Sequence, residues 1–179
     1  MSPLENIKGG DMIDYQLAVA LFNYCPETGS LTWRVSTNSF KAGEEVGTVV
    51  KKEGYSSYKN VVVFADRYKA HRIIWLMQTG KWPEKYVDHI DGDGLNNAWS
   101  NLREATPSQN SMNQRVRSDS ASGVKGVSYD KSRDVWYVYI DVDGHRKHLG
   151  RHETLEEAAA VRKMAEIKYH GEYARGHEA

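Results

Sequence analysis

Residues 86–113 constrain the fold more than any other part of the chain. YVDHI has the length and branching of a strand, DGDGLNN is too dense in turn formers to continue it, NLREAT can return as a second strand, and Pro107 is placed to open a helix through Asn113. The order is strand, loop, strand, helix. Downstream, RVRSDSASG loses all apolar periodicity, which predicts a linker over residues 115–123 and a second folding unit beyond it.

The preceding residues read as support. Asp14 can cap a short helix through Leu17, Ala18, Leu21 and Phe22, ended by Pro26, Thr28 and Gly29. Residues 31–35, 45–50 and 60–64 are short β-branched or aromatic runs, which predict an antiparallel meander. AHRIIWLM, with Gly80 and Pro83 after it, predicts a helix whose Ile73, Ile74 and Trp75 enter the core. His71 beside them reads either as a hydrogen-bonded structural residue or as a ligand.

The last third predicts a compact unit. VKGVSYD, VWYVYIDV and HRKHLG read as three strands, the last two joined by Asp143-Gly144, which suits a type I′ turn. Thr154 and Glu157 form a capping box for a helix whose Leu155, Ala158, Val161 and Ala165 make a small-residue stripe, with Gly171 as its stop.

Composition limits the function classes. The chain has 179 residues, 40% apolar and 27% charged, a globular balance that leaves room for one large or two small domains. No apolar run approaches a membrane span and the first residues do not resemble a signal peptide, so the expectation is a soluble protein with no membrane partner. Cys25 is the lone cysteine, which excludes a disulfide framework and a cysteine zinc knuckle and suits a reducing cytoplasm. The formal charge is zero, yet residues 115–151 hold eight Lys/Arg against five Asp, while residues 152–179 hold six Glu against four Lys/Arg. A locally basic stretch permits phosphate contact.

Asp88, His89, Asn101 and Asn110 are the candidate catalytic set. A hairpin followed by a helix can bring Asp88 and Asn110 together as one anionic and one neutral oxygen donor, with water and phosphate filling the remaining positions, as Mg²⁺ prefers. His89, with an ordinary pKa of about 6.5, can take a proton from water as general base. Asn101 would hold the loop and orient His89. The same residues are also ordinary turn material. A calcium loop from Asp91, Asp93 and Asn96 is excluded, because Asn96 and Leu102 stand where the EF-hand pattern needs Gly and Glu. Asn96, Asn97 and Asn113 read as loop and helix hydrogen-bonding residues. Arg72 and Arg103 can grip a phosphate or pair with Glu104 or Asp91.

VDHIDGDGLNNAWSNLREATPSQNSMN, preceded by AHRIIWLMQTGKWP, resembles the HNH endonucleases of bacteriophages and group I introns, in the variant whose last His is Asn. The likeness spans about residues 15–114 and carries His71-Arg72, Asp88-His89, Asn101 and Asn110 in order. It implies a ββα-metal fold, His89 as general base, Asp88 and Asn110 as ligands of one Mg²⁺ or Mn²⁺, and Asn101 in support. The paired cysteines of the zinc-stapled branch are absent.

In the final unit, strand alternation points Trp136, Val138 and Ile140 toward the helix and Tyr137, Tyr139 and Asp141 outward. Lys125, Tyr129, Arg133, Arg146 and His148 complete a sheet surface that reads either as plain solvated face or as a DNA-binding one, able to enter a major groove about 12 Å wide. Residues 122–171 are similar to the DNA-binding domain of plant APETALA-two and ethylene-response-factor proteins, which also occurs beside phage HNH nucleases. The likeness implies DNA contacts from Lys125, Ser128, Arg146 and His148. Tyr139 and Asp141 depart from it, so its sequence preference does not carry over.

The expected fold class is α+β: a ββα-metal HNH nuclease domain with an N-terminal antiparallel β meander over residues 1–114, a linker over 115–123, and a three-stranded antiparallel sheet packed on one helix over 124–179. The expected function is a metal-dependent DNA endonuclease of phage or homing type that nicks one strand, acting on double-stranded DNA as a monomer or homodimer, in the bacterial host cytoplasm if phage-encoded. Arg115 and Arg117 would track the backbone. The alternatives are a non-catalytic sequence-specific DNA-binding regulator and a nonspecific nuclease.

Overall fold

The computed structural model describes residues 13–51, 56–116 and 120–175. Asp14 accepts a hydrogen bond from Leu17 N at 2.8 Å and so starts α1 (Tyr15–Leu21). The helix stops one residue earlier than its apolar pattern predicts. Phe22 is fully buried in extended backbone with its ring 4.9 Å from that of Trp33, and it opens β1 (Phe22–Tyr24), which pairs antiparallel with β2 (Leu31–Trp33).

The expected meander is therefore two sheets. β3 (Thr48–Val50), β4 (Tyr58–Val63) and β5 (Asp66–Lys69) form a separate antiparallel sheet in that order. A single bridge from Thr32 to Glu45 links its approach to β2. α2 (Ala70–Thr79) follows and ends at Gly80, whose φ of 77° suits the left-handed cap. Its Ile73, Ile74 and Leu76 enter a core shared with Ile13, Leu21, Leu31, Val46 and Val61. β6 (Tyr86–His89) then pairs with β7 (Leu102–Ala105), and Ile90 N donates to Asn101 O at 2.9 Å beside the pairing.

The chain divides into two units, Met1–Glu104 and Ala105–Ala179. The second begins with α3 (Pro107–Asn113), which the sequence pattern assigns to the first domain. Thr106 and Gln109 close its N-terminus in a reciprocal capping box with Pro107 inside it. Of the linker stretch, residues 117–119 lie outside the described residues. Ser122 is buried with its hydroxyl 2.7 Å from Val127 O.

β8 (Val127–Asp130), β9 (Val135–Val142) and β10 (His145–His152) form an antiparallel sheet with β9 in the middle. Asp143 and Gly144 have φ of 50° and 78°, the paired positive values of a type I′ turn. α4 (Leu155–Tyr169) starts at Thr154, whose side chain accepts from Glu157 N, and covers Val138 with Ala158. Arg162 is buried beneath the sheet, donating to Tyr139 O at 2.9 Å and paired with Glu166 at 2.9 Å. Gly126 admits this arrangement, since a Cβ there would stand 2.3 Å from Tyr139 O. The molecule is thus a mixed α/β protein with several small antiparallel sheets and four α-helices among the described residues. None of those helices is long and apolar enough to cross a membrane.

Candidate active site and nucleic-acid face

Successive residues of a strand face opposite ways, and on β6 this sends Asp88 and His89 to different neighbours. Both are buried. Asp88 meets Arg103 on the paired strand: Nε and Nη2 donate to its Oδ2 at 3.1 and 3.0 Å. Of the two roles open to Arg103 on sequence, phosphate grip or ion pair, the structure has the pair, with Asp88 as partner. Glu104 instead accepts from the backbone N–H of Glu84 and Lys85. Arg72 lies over the Trp82 ring, 5.9 Å from its centroid.

His89 is only 7% exposed, so it does not face bulk water. Its Nε2 is 2.9 Å from Asn97 Oδ1. An amide oxygen can only accept, so in this contact Nε2 donates. His71 from α2 meets the same ring edge-on, centroids 4.9 Å apart at 87°. Burial, helped by His89, Lys69 and Arg72, lowers the His71 pKa to about 3, so it stays neutral. His71 thus packs against the candidate base as a neutral wall.

The loop between the strands is tied from within. Asn101 accepts from Asp91 N at 3.0 Å and donates to Asp91 Oδ1 at 2.9 Å and Asn96 O at 2.8 Å. Burial would raise the Asp91 carboxyl, but bonds from Asp93 N–H, Asn96 and Asn101 outweigh it and hold the pKa below its ordinary value. Asn101 is therefore the loop's clasp, whereas the side chain bonded to the His89 ring is Asn97. Asn97 is fixed by the first hairpin. Tyr24 Oη donates to Asn97 O at 2.8 Å, with burial pushing the phenol up to about 12, and Trp99 N donates to Pro26 O at 2.8 Å. Gly29, at φ 73°, touches the loop so closely that a Cβ would stand 2.4 Å from Asn97 C and Ala98 N.

Asn110 lies on α3 in the second unit, its N–H bonded to Thr106 O at 2.9 Å. Among the described residues no group of three or more His, Cys, Asp and Glu gathers as a metal cage. Asp88 carries a carboxylate oxygen and Asn110 a carboxamide oxygen, the donor types that hard divalent cations take. They do not fit a structural zinc.

The outward face of the C-terminal sheet is a ladder of arginines on tyrosines. β10 shifts register between His148 and Gly150, so that Arg151, not Gly150, stands opposite Tyr137. Arg151 donates to Tyr137 Oη at 2.6 Å with its guanidinium 4.8 Å from the ring centroid. His148 stands opposite Tyr139, and Arg146 lies 3.9 Å over the Tyr139 ring while pairing with Asp141 at 2.9 Å. Ser128 is opposite Tyr137 on the other side. Arg151 escapes a plain alternation, although Gly150 inside a strand is the signal for a bulge.

The remaining expected DNA-contacting residues fall elsewhere. Tyr129 stands opposite Trp136, on the helix side of the sheet, and its hydroxyl donates to Asp134. Arg133 pairs with Asp130 at 2.9 Å. Lys125 donates to the carbonyls of Ser111 and Met112. Arg115 is exposed, and Arg117 lies outside the described residues.

Residues 68–112, which hold His71, Asp88, His89, Asn101 and Asn110, match the HNH endonuclease family. The chain belongs to that family. Among its relatives is Protein 3.8 of Escherichia phage T7, 36% identical over 112 residues that span 60% of this chain and 92% of that protein. An uncharacterized HNH endonuclease of Acanthamoeba polyphaga mimivirus is also 36% identical, over 110 residues that span 60% of this chain but 56% of the viral protein. No solved structure matches the chain.

Proposed function

We propose that the chain is a divalent-metal-dependent DNA endonuclease that hydrolyses one phosphodiester bond per site, guided by its C-terminal sheet. The observation that carries this reading is the buried His89 ring, held by Asn97 through Nε2, beside Asp88 on the same strand. His89 takes the proton of the attacking water at Nδ1. Asn97 and the neutral His71 keep the ring in one orientation and one tautomer as it becomes charged. Asp88 and Asn110 would supply oxygen donors to Mg²⁺ or Mn²⁺, which would offset charge on the phosphate and the leaving oxygen when bound. Arg103 neutralises the buried Asp88 carboxylate, and Asn101 keeps the loop closed.

The sheet is the DNA-reading face, through Ser128, Tyr137, Tyr139, Arg146, His148 and Arg151. Stacking on tyrosine holds two guanidinium groups flat for phosphates or base edges, and their charge lies in the chain's basic stretch. The fold and functions of APETALA-two-like domains suit this surface. One active site cuts one strand, so a monomer nicks.

The test is conversion of supercoiled plasmid to open circles with Mg²⁺, Mn²⁺ or chelator, alongside gel-shift binding. Wild type nicks only with a divalent ion, and His89→Ala loses nicking with binding intact. Binding without cleavage by wild type in either ion would leave a DNA-binding regulator in place of an enzyme.

A further inference from the structure

We infer that Lys125 and Arg175 are positioning residues for Asn110, clamping the C-terminal end of the helix that carries it. The inference rests on the metal-donor reading of Asn110 given above and adds to it residues outside the matched segment. α3 has seven residues, too few to be stable on its own. Its N-terminus is closed locally by the Thr106 capping box, but its other end has no glycine stop and no basic residue in the last turn. Four carbonyls at such an end need partners.

Two cations from opposite ends of the C-terminal fold supply them for three of the four. Lys125, just before β8, donates to Ser111 O and, at 3.4 Å, to Met112 O. Arg175, after α4, donates to Asn113 O at 3.2 Å. Three consecutive carbonyls are covered, at the helix end where the backbone dipole favours positive charge. The Lys125 side chain is half-buried, and that burial lowers its pKa. Its sequence position suggests a phosphate contact, whereas its geometry makes it a helix clamp. Asn110 sits in the turn so clamped, and a small displacement of a donor lowers catalytic rate steeply.

Full-length Lys125→Ala, Lys125→Arg and Arg175→Ala separate the two roles by amide exchange of residues 110–113, by kcat and KM for plasmid nicking, and by DNA affinity in chelator across a salt series. Lys125→Ala should lose protection of these amides by about fivefold to tenfold and lower kcat by roughly tenfold or more. KM, affinity and salt slope stay unchanged. Lys125→Arg should restore protection. Arg175→Ala should expose the same amides, which keeps the test open if Lys125→Ala does not fold. Unchanged exchange together with weaker binding and a salt slope smaller by about one would overturn the clamp and make Lys125 a phosphate contact. If wild type nicks nothing, the nuclease reading fails while amide exchange still decides whether the clamp exists.

Discussion

Replacing Arg103 with Met keeps the side chain's length and removes the cation beside Asp88. The Arg103 and Asp88 side chains are 12% and 8% exposed, and two N–H groups converge on one carboxylate oxygen. An exposed pair would contribute about 0.5 kcal/mol. Breaking a buried one by removing one member destabilises by about 3 kcal/mol or more. For a chain of this length that corresponds to a fall in Tm of roughly 6–12 °C. Asp88→Asn removes the opposing carboxylate charge, so the double variant Arg103→Met with Asp88→Asn should be more stable than the sum of the single losses by about 2 kcal/mol. Urea unfolding of the four proteins measures the cycle. A loss under about 1 kcal/mol for Arg103→Met, with no rescue by Asp88→Asn, refutes the buried pair.

Asn97→Ala should lower nicking on the order of tenfold to a hundredfold, because the His89 ring loses the group that fixes its tautomer; a wild-type kcat would remove Asn97 from the site. His71, neutral in the fold with a pKa near 3, takes up its proton only on unfolding, so stability holds above about pH 6.5 and falls below it, down to about pH 3. The slope is about 1.4 kcal/mol per pH unit for that proton, and His71→Gln should flatten it in urea titrations between pH 6 and 4. Arg151→Ala should weaken DNA binding and reduce the salt slope by about one, whereas Arg133→Ala, on a residue paired with Asp130, should leave both near wild type. Equal effects would mean that the bulge does not select the reading face.

What the chain's order of residues reveals depends on how far away the deciding contact lies. α2 announces itself by apolar spacing and Gly80, α3 by Thr106, Pro107 and Gln109, and the C-terminal hairpin by Asp143-Gly144, because each signal is local. β1 and β2 have three residues apiece, too few for alternation to separate them from the neighbouring meander. β5 is mostly polar and carries no strand pattern. Asp88, His89, Asn101 and Asn110 stand out by type and spacing. Which arginine pairs with Asp88, and which asparagine holds His89, depends on cross-strand register and on the hairpin formed by β1 and β2. Lys125 shows the limit most plainly, since an ammonium has the same chemistry whether it meets a phosphate or a helix carbonyl.

Gly29 carries a consequence for genetics. Any side chain there would push into the backbone of the loop that presents Asn97, so a mutational screen for inactive protein would collect changes at a turn far upstream of His89, the proposed general base. Such hits would fall outside residues 68–112, where the family likeness lies. The stretch of chain whose integrity the reaction depends on is wider than the stretch by which its kinship is recognised.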